Sequence, residues 1–160
     1  MKVLWAPWRM EYILGEKEDY CIFCVKPRED NDRDNLILYR DKSVFVMMNK
    51  YPYNNGHLMV LPYIHTSSLD GLDTGTLGDL MRITKYCVEC IKTAFHPEGF
   101  NIGINIGKVA GAGIEEHLHV HVVPRWGGDS NFMAVTGEVR MVPEHILATY
   151  DKLHPIFNKP

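Results

Sequence analysis

The sequence predicts one mixed domain of strands and helices, with short antiparallel strands ahead of a long helix and two more strands after it. Three observations carry this reading. The chain has 160 residues, 46% of them hydrophobic, which is the profile of one ordinary globular domain with a sizeable core. From Asp73 onward apolar side chains recur with a helical period. Elsewhere, short bulky runs alternate with turn-forming residues.

The elements follow in order. Residues Met1 to Tyr20 hold Trp5, Pro7, Trp8 and Arg9, then the charged stretch Gly15 to Asp19, and without a sustained period they read as an ordered N-terminal arm and a turn. After the charged, turn-prone Pro27 to Asn35, the β-branched and aromatic runs Leu36 to Arg40 and Val44 to Asn49 flank Asp41-Lys42-Ser43 and read as a hairpin. Pro52, Asn54, Asn55 and Gly56 form a turn before a third strand, His57 to Leu61, closed by Pro62.

Leu77, Leu80, Met81, Thr84, Cys87, Val88, Ile91, Ala94 and Phe95 make the stripe of one long helix that ends near His96-Pro97. Alternation of Phe100, Ile102, Ile104 and Ile106 gives a fourth strand over Gly99 to Ile106, and Gly107 to Gly113 a glycine-rich turn. His117 to Pro124 supplies the fifth strand. Glu138 to Val142 reads as a short strand and Pro143 to Leu153 as a last helix. The charge excludes some partners: 17 Lys plus Arg against 20 Asp plus Glu give a net charge of -3, without the basic footprint of a nucleic-acid binder. No apolar run approaches the roughly 20 residues that span a bilayer, and Met1 to Met10 contains no signal-peptide core. The expectation is a cytoplasmic protein with no membrane partner.

Chemistry concentrates in two places. In His117-Leu118-His119-Val120-His121-Val122-Val123 imidazoles alternate with aliphatic residues, and the strand period of two puts all three rings on one face. At roughly 3.3 Å per residue the first and third rings start about 13 Å apart, so one metal ion cannot easily collect all three and their roles should differ. The four cysteines fall as two Cys-x-x-Cys pairs, Cys21 with Cys24 and Cys87 with Cys90, which raises metal or redox chemistry rather than a disulfide framework.

The histidine pattern, with Asn49, Gly56-His57, the glycine-rich turn and Pro124-Arg125-Trp126, resembles the histidine triad (HIT) superfamily of nucleotide hydrolases and transferases. The resemblance implies an α+β fold: a HIT domain over residues 21–125 whose five-stranded antiparallel sheet continues across a homodimer, which leaves dimer and tetramer both open. Residues 126–160 form a C-terminal extension on the same domain. The flanks Trp5-Ala6-Pro7-Trp8-Arg9 and Arg125-Trp126-Gly127-Gly128-Asp129 resemble the bacterial diadenosine tetraphosphate phosphorylase branch.

By that resemblance His119 is the nucleophile that attacks the α-phosphorus, and water or inorganic phosphate resolves the nucleotidyl-histidine. His121, His57 and backbone amides of the turn Lys108 to Gly113, including Gly111, are the donors to phosphate oxygens. Asn49 matches the ribose contact, with a strand-ending turn as its alternative. Asn105 matches a phosphate-side polar residue, Ile22, Phe23 and Met47 match the apolar grip on a purine or plain core, and Trp126 shapes the distal half of a long substrate or seals the dimer. Many members carry Gln or Ser where this chain has Gly113 and Ile114, so its leaving-group contact differs.

Zinc-containing branches of the superfamily complete the first cysteine pair with two histidines, and the matching positions here are His65 and His117. That implies a structural Zn2+ on Cys21, Cys24, His65 and His117, with no organic cofactor. The alternative is a pair of reduced thiols. Cys87 and Cys90 read as buried thiols of the long helix, and His96, His145 and His154 as capping or surface residues. Competing functions are a purine nucleoside phosphoramidate hydrolase using the same histidines and a zinc-stabilised nucleotide-binding adaptor.

Overall fold

The computed structural model describes residues 20–129 and 144–159; the arm before Tyr20 and the expected strand Glu138 to Val142 lie outside the described residues. Five strands, β1 (Ile37–Arg40), β2 (Val44–Met48), β3 (Leu58–Pro62), β4 (Gly99–Ile104) and β5 (Val120–Arg125), pair antiparallel in the order β1-β2-β3-β5-β4. Among the described residues three α-helices accompany them, α1 (Ile22–Val25), α2 (Thr74–Phe95) and α3 (Ile146–Phe157). No helix of the described residues is long and apolar enough to cross a membrane.

The sheet is covered on both faces. Val44, Val46 and Met48 of β2, Leu58 and Val60 of β3, and Val120 and Val122 of β5 pack with Leu80, Ile83, Cys87 and Ile91 of α2 and with Leu153 and Phe157 of α3. The intervening residues Phe45, Met47, Met59 and Leu61 turn to the other face and gather with Ile37 and Phe23. Double burial explains why β2 and β3 read in sequence as unbroken apolar runs rather than as alternation. It also divides β5, whose Val120 and Val122 feed the helical core while His121 lies on the opposite face.

Local signals set the limits of α2. The Asp73 side chain accepts from the Thr76 backbone N–H, and His96 closes the helix in the left-handed conformation with φ 48°. Met81, counted in the apolar stripe, is 61% exposed and faces away from the core. Buried Cys87 and Cys90 are free thiols packed in that core; burial pushes the Cys87 thiol well above its ordinary value.

Three elements depart from expectation by two residues or more. The β5 ladder starts at Val120, because the Leu118 N–H bonds the Thr66 carbonyl at 2.7 Å instead of a neighbouring strand. β4 ends at Ile104, two residues early. α3 starts at Ile146 and runs past Leu153, through Pro155, to Phe157. Proline removes a helical N–H, and the last turn holds because Phe157 is 2% exposed in the core and the Asn158 amide donates to the Leu38 and His154 carbonyls. Together with the Tyr150 hydroxyl, which donates to the Ile37 carbonyl at 2.9 Å, Asn158 covers the outer edge of β1.

Leu153 is fully buried between α3 and the sheet, so Leu153→Ala should destabilise the fold by about 2–5 kcal/mol. Tyr150→Phe, which strands only one carbonyl, should cost about 1 kcal/mol. Urea denaturation of the two variants checks both the size and the order of the effects.

Candidate active site

His57 and His121 meet across the β3–β5 pair, where Met59 lies opposite His121. His57 stands one residue before β3, its carbonyl accepting from the Asn49 N–H at 3.0 Å. Its ring is fully buried. The Tyr53 backbone N–H donates to His57 Nδ1 at 3.0 Å, and His57 Nε2 lies 2.9 Å from His121 Nδ1. An imidazole nitrogen that accepts from an amide carries no proton. The His57 proton therefore sits on Nε2 and is donated to His121 Nδ1, which leaves the neutral His121 with its own proton on Nε2.

His119 is set the opposite way. Its Nδ1 is 2.8 Å from the His117 carbonyl; a carbonyl only accepts, so Nδ1 bears the proton and Nε2 carries a lone pair. The ring packs edge-on to His121 with centroids 4.7 Å apart and against Phe23 at 5.4 Å. One nucleophilic nitrogen and one N–H donor thus belong to neighbouring rings. The tyrosine of the same turn backs them, its ring 4.7 Å from that of His57 and 5.7 Å from that of His121.

Burial keeps these rings neutral. Desolvation, reinforced by His121 and then His119, lowers His57 to about 3, and desolvation with His119 beside it lowers His121 to about 4. Desolvation also lowers His119, against a smaller opposing contribution from the His117 carbonyl. A neutral imidazole is the form that can attack phosphorus.

The other expected substrate contacts distribute unevenly. Phe23 and Met47 are buried in one cluster, with Ile22 packed at its margin, so the three residues do share a surface beside His119. Asn49 ends β2 and uses its side-chain oxygen to accept from the Tyr51 N–H at 2.9 Å, the geometry of a strand-ending turn. Asn105 follows β4, half-buried, while Lys108, Gly111 and Gly113 are exposed on the loop that leads to the histidines. Gly111 has φ 85°, a conformation that favours glycine.

Trp126 stands beyond the far end of β5 from His119, and its indole N–H donates to the Phe95 carbonyl at the end of α2. Sequence reasoning did not single out Tyr53 or α1. The first acts mainly through its backbone, which no residue type announces, and the second has only four residues, too few to show a period.

His117 belongs to a different group of side chains. Cys21, Cys24, His65 and His117 place one ligand atom each within 4.8 Å of one another. The Cys21 and Cys24 sulfurs lie 3.4 and 3.5 Å from His117 Nδ1, and Cys24 lies 3.3 Å from His65 Nδ1. A tetrahedral zinc with bonds of about 2.0–2.3 Å has ligand separations of about 3.3–3.8 Å, so the residues fit a metal. His117 Nε2 donates to the Pro62 carbonyl at 2.9 Å, which turns the Nδ1 lone pair toward the sulfurs in the manner of an oriented metal ligand. The three histidines part in space: the first lies with the cysteines, and the second and third lie with His57, whose only N–H goes to His121 rather than to the phosphate contact expected of it.

Residues 30–128 match the HIT domain family. A Mycobacterium tuberculosis (strain H37Rv) protein named AP-4-A phosphorylase is 40% identical over 149 residues, spanning 88% of this chain and 76% of that protein. A Zn-bound histidine triad family protein from Mycobacterium smegmatis superposes with a TM-score of 0.66 at 25% identity, covering 86% of this chain and 92% of the other. A hypothetical histidine triad nucleotide-binding protein from Sulfolobus tokodaii strain7 gives 0.63 at 30% identity over 86% and 89% of the two chains.

The depressed histidines make stability depend on acid. Unfolded histidine titrates near 6.5, whereas folded His57 and His121 do so at about 3 and about 4. Below pH 6.5 the unfolded chain takes up protons that the folded chain refuses, so stability present at neutral pH is lost on acidification toward pH 4. The slope is at most about 1.4 kcal/mol per pH unit for each such group. Urea midpoints should fall between pH 7 and pH 5, and less steeply in His57→Asn.

Proposed function

The chain belongs to the HIT domain family, and from that premise we propose that it is a nucleotide hydrolase or phosphorylase that cleaves dinucleoside polyphosphates, foremost diadenosine tetraphosphate, through His119. The observation that carries this reading is the opposed tautomers of adjacent rings, a lone pair on His119 Nε2 and an N–H on His121 Nε2. His119 Nε2 attacks the α-phosphorus; a P–N bond forms as the P–O bond to the departing polyphosphate breaks. The His121 N–H stabilises a non-bridging oxygen that gains charge in the transition state.

Water or inorganic phosphate then attacks the same phosphorus and returns the electron pair to His119. With phosphate as acceptor the products are ADP and ATP; with water they are AMP and ATP. The relative named AP-4-A phosphorylase, similar over most of both chains, supports the phosphate arm. The apolar surface of Phe23, Met47 and Ile22 is the proposed seat of the adenine ring, and the loop of Lys108, Gly111 and Gly113 the proposed cradle of the phosphates.

Cys21, Cys24, His65 and His117 would hold a zinc ion whose contribution is structural, fixing α1 and the residue that caps it to the residue two before the nucleophile. In the same reading a second copy pairs along β4, the sheet edge that carries exposed Ile102 and leads to exposed Ile106 and Val109, and the protein works as a cytoplasmic homodimer.

His119→Asn should keep fold and nucleotide binding while lowering turnover by several orders of magnitude, each factor of ten being about 1.4 kcal/mol of barrier. Product analysis of diadenosine tetraphosphate with and without phosphate measures this and identifies the acceptor. A variant within about tenfold of the parent, or a far larger kcat/KM for an adenosine phosphoramidate with no ADP formed in phosphate buffer, would overturn the reading.

Metal analysis of protein prepared without chelator should find about one zinc per chain. Because a structural zinc can contribute on the order of 10 kcal/mol to folding, chelation or Cys24→Ser should lower the melting temperature markedly. Metal-free protein of unchanged melting temperature would remove zinc from the account.

A further inference from the structure

Beyond the site, a compact polar cluster joins the end of β5 to the turn before β3. Asp129 is its centre, with a side chain only 11% exposed. Its Oδ2 accepts from Asn54 Nδ2 at 2.8 Å, from Arg125 Nε at 2.6 Å and from the Trp126 N–H at 3.2 Å, and its Oδ1 accepts from Arg125 Nη2 at 2.8 Å. Arg125 is steadied in turn by Asn101, whose side-chain oxygen accepts from Nη1 at 2.7 Å.

Asn54 is the other end of the clamp. Besides reaching Asp129, its Nδ2 donates to the Pro124 carbonyl at 3.1 Å, its Oδ1 accepts from the Asn55 N–H at 3.1 Å, and its backbone carbonyl accepts from the His57 N–H at 3.2 Å. The residue next to Asn54 is Tyr53, the donor that fixes the His57 proton. Gly56 closes the turn with φ 72° and lies so close to Phe95 that a Cβ there would meet its ring at 3.3 Å, so the turn has little room to settle elsewhere once Asn54 is held.

We propose that Asp129 is a positioning residue: by holding Asn54 it fixes the Tyr51–Gly56 turn, so that the Tyr53 N–H locks His57 and His121 in the one pair of tautomers that presents His121 Nε2–H to the substrate. The arrangement is binary. If the Tyr53 N–H withdraws, His57 is free to carry its proton on Nδ1, and its bare Nε2 then requires a proton on His121 Nδ1. That moves the His121 lone pair to Nε2 and replaces a donor to phosphate with an acceptor. Two buried neutral rings thus transmit the position of one amide to the reacting group.

The catalytic consequence rests on the function proposed above; the tautomers do not. Long-range 1H–15N spectra of uniformly labelled full-length protein without nucleotide should show both His57 and His121 protonated on Nε2. In Asp129→Ala, and in Asn54→Ala as a second variant should the first fail to fold, each ring should give mixed tautomers. With diadenosine tetraphosphate, kcat should fall about tenfold or more while KM stays within about threefold. Asp129→Asn, which keeps one oxygen for Asn54, should recover part of both signals.

A variant that folds and retains parental tautomers overturns the proposal, as does one with mixed tautomers and kcat within about twofold of the parent. If the parent itself turns over no dinucleoside polyphosphate, the functional reading fails, and the spectra alone judge the role of Asp129.

Discussion

The hydrogen bond between His57 and His121 governs how the rest of the site is arranged. Burial forbids charge on either ring, and a neutral imidazole has one donor and one acceptor, so fixing the proton of one ring fixes the other. The donor is a backbone amide, whose single proton and lack of titration make it a fixed reference. His119 obeys the same arithmetic with the opposite result, because its outer partner is a carbonyl. Lone pair and donor are therefore chosen by main-chain atoms, and the histidine side chains contribute imidazole and burial.

A second constraint is the covering of the sheet on both faces. Helices α2 and α3 take one face, which leaves the other to Phe23 of α1, Met47, Met59 and His121. An imidazole desolvated there loses its charged form, and the same apolar neighbours that depress its titration are those offered to a flat ring. Interruption of the ladder before Val120 is what releases His117 toward the cysteines while His119 stays with His121. A strand paired along its whole length would hold all three at even spacing.

Much of this was legible in the sequence, for particular reasons. Alternation in His117 to Val123 and the stripe of α2 are periodic over enough residues for one geometry to dominate, and a flanking cap, Asp73, marks where α2 begins. That the three histidines cannot share one metal was legible as a distance argument, while the pairing of His117 with the cysteines came from the family resemblance. Asn49 was not: a strand-ending amide serves a turn or a ligand equally well, and its bond to the Tyr51 N–H establishes the turn. Pro155 gives a false stop, since tertiary packing of Phe157 outweighs one missing helical bond. Tyr53 and Asp129 are invisible for a different reason, as their parts depend on backbone atoms and on contacts between segments distant in the chain.

The covering of β1 by α3 gives the sheet a direction. Tyr150 and Asn158 occupy carbonyls on that edge, while β4 is the opposite edge of the sheet. A sheet able to accept strands at both ends is a template for unlimited growth. Here two copies meeting at β4 would use up the reactive edge of each, and a third would find only a blocked one. Strand addition would thereby end after a single step, with α3 as the guard against fibrous aggregation.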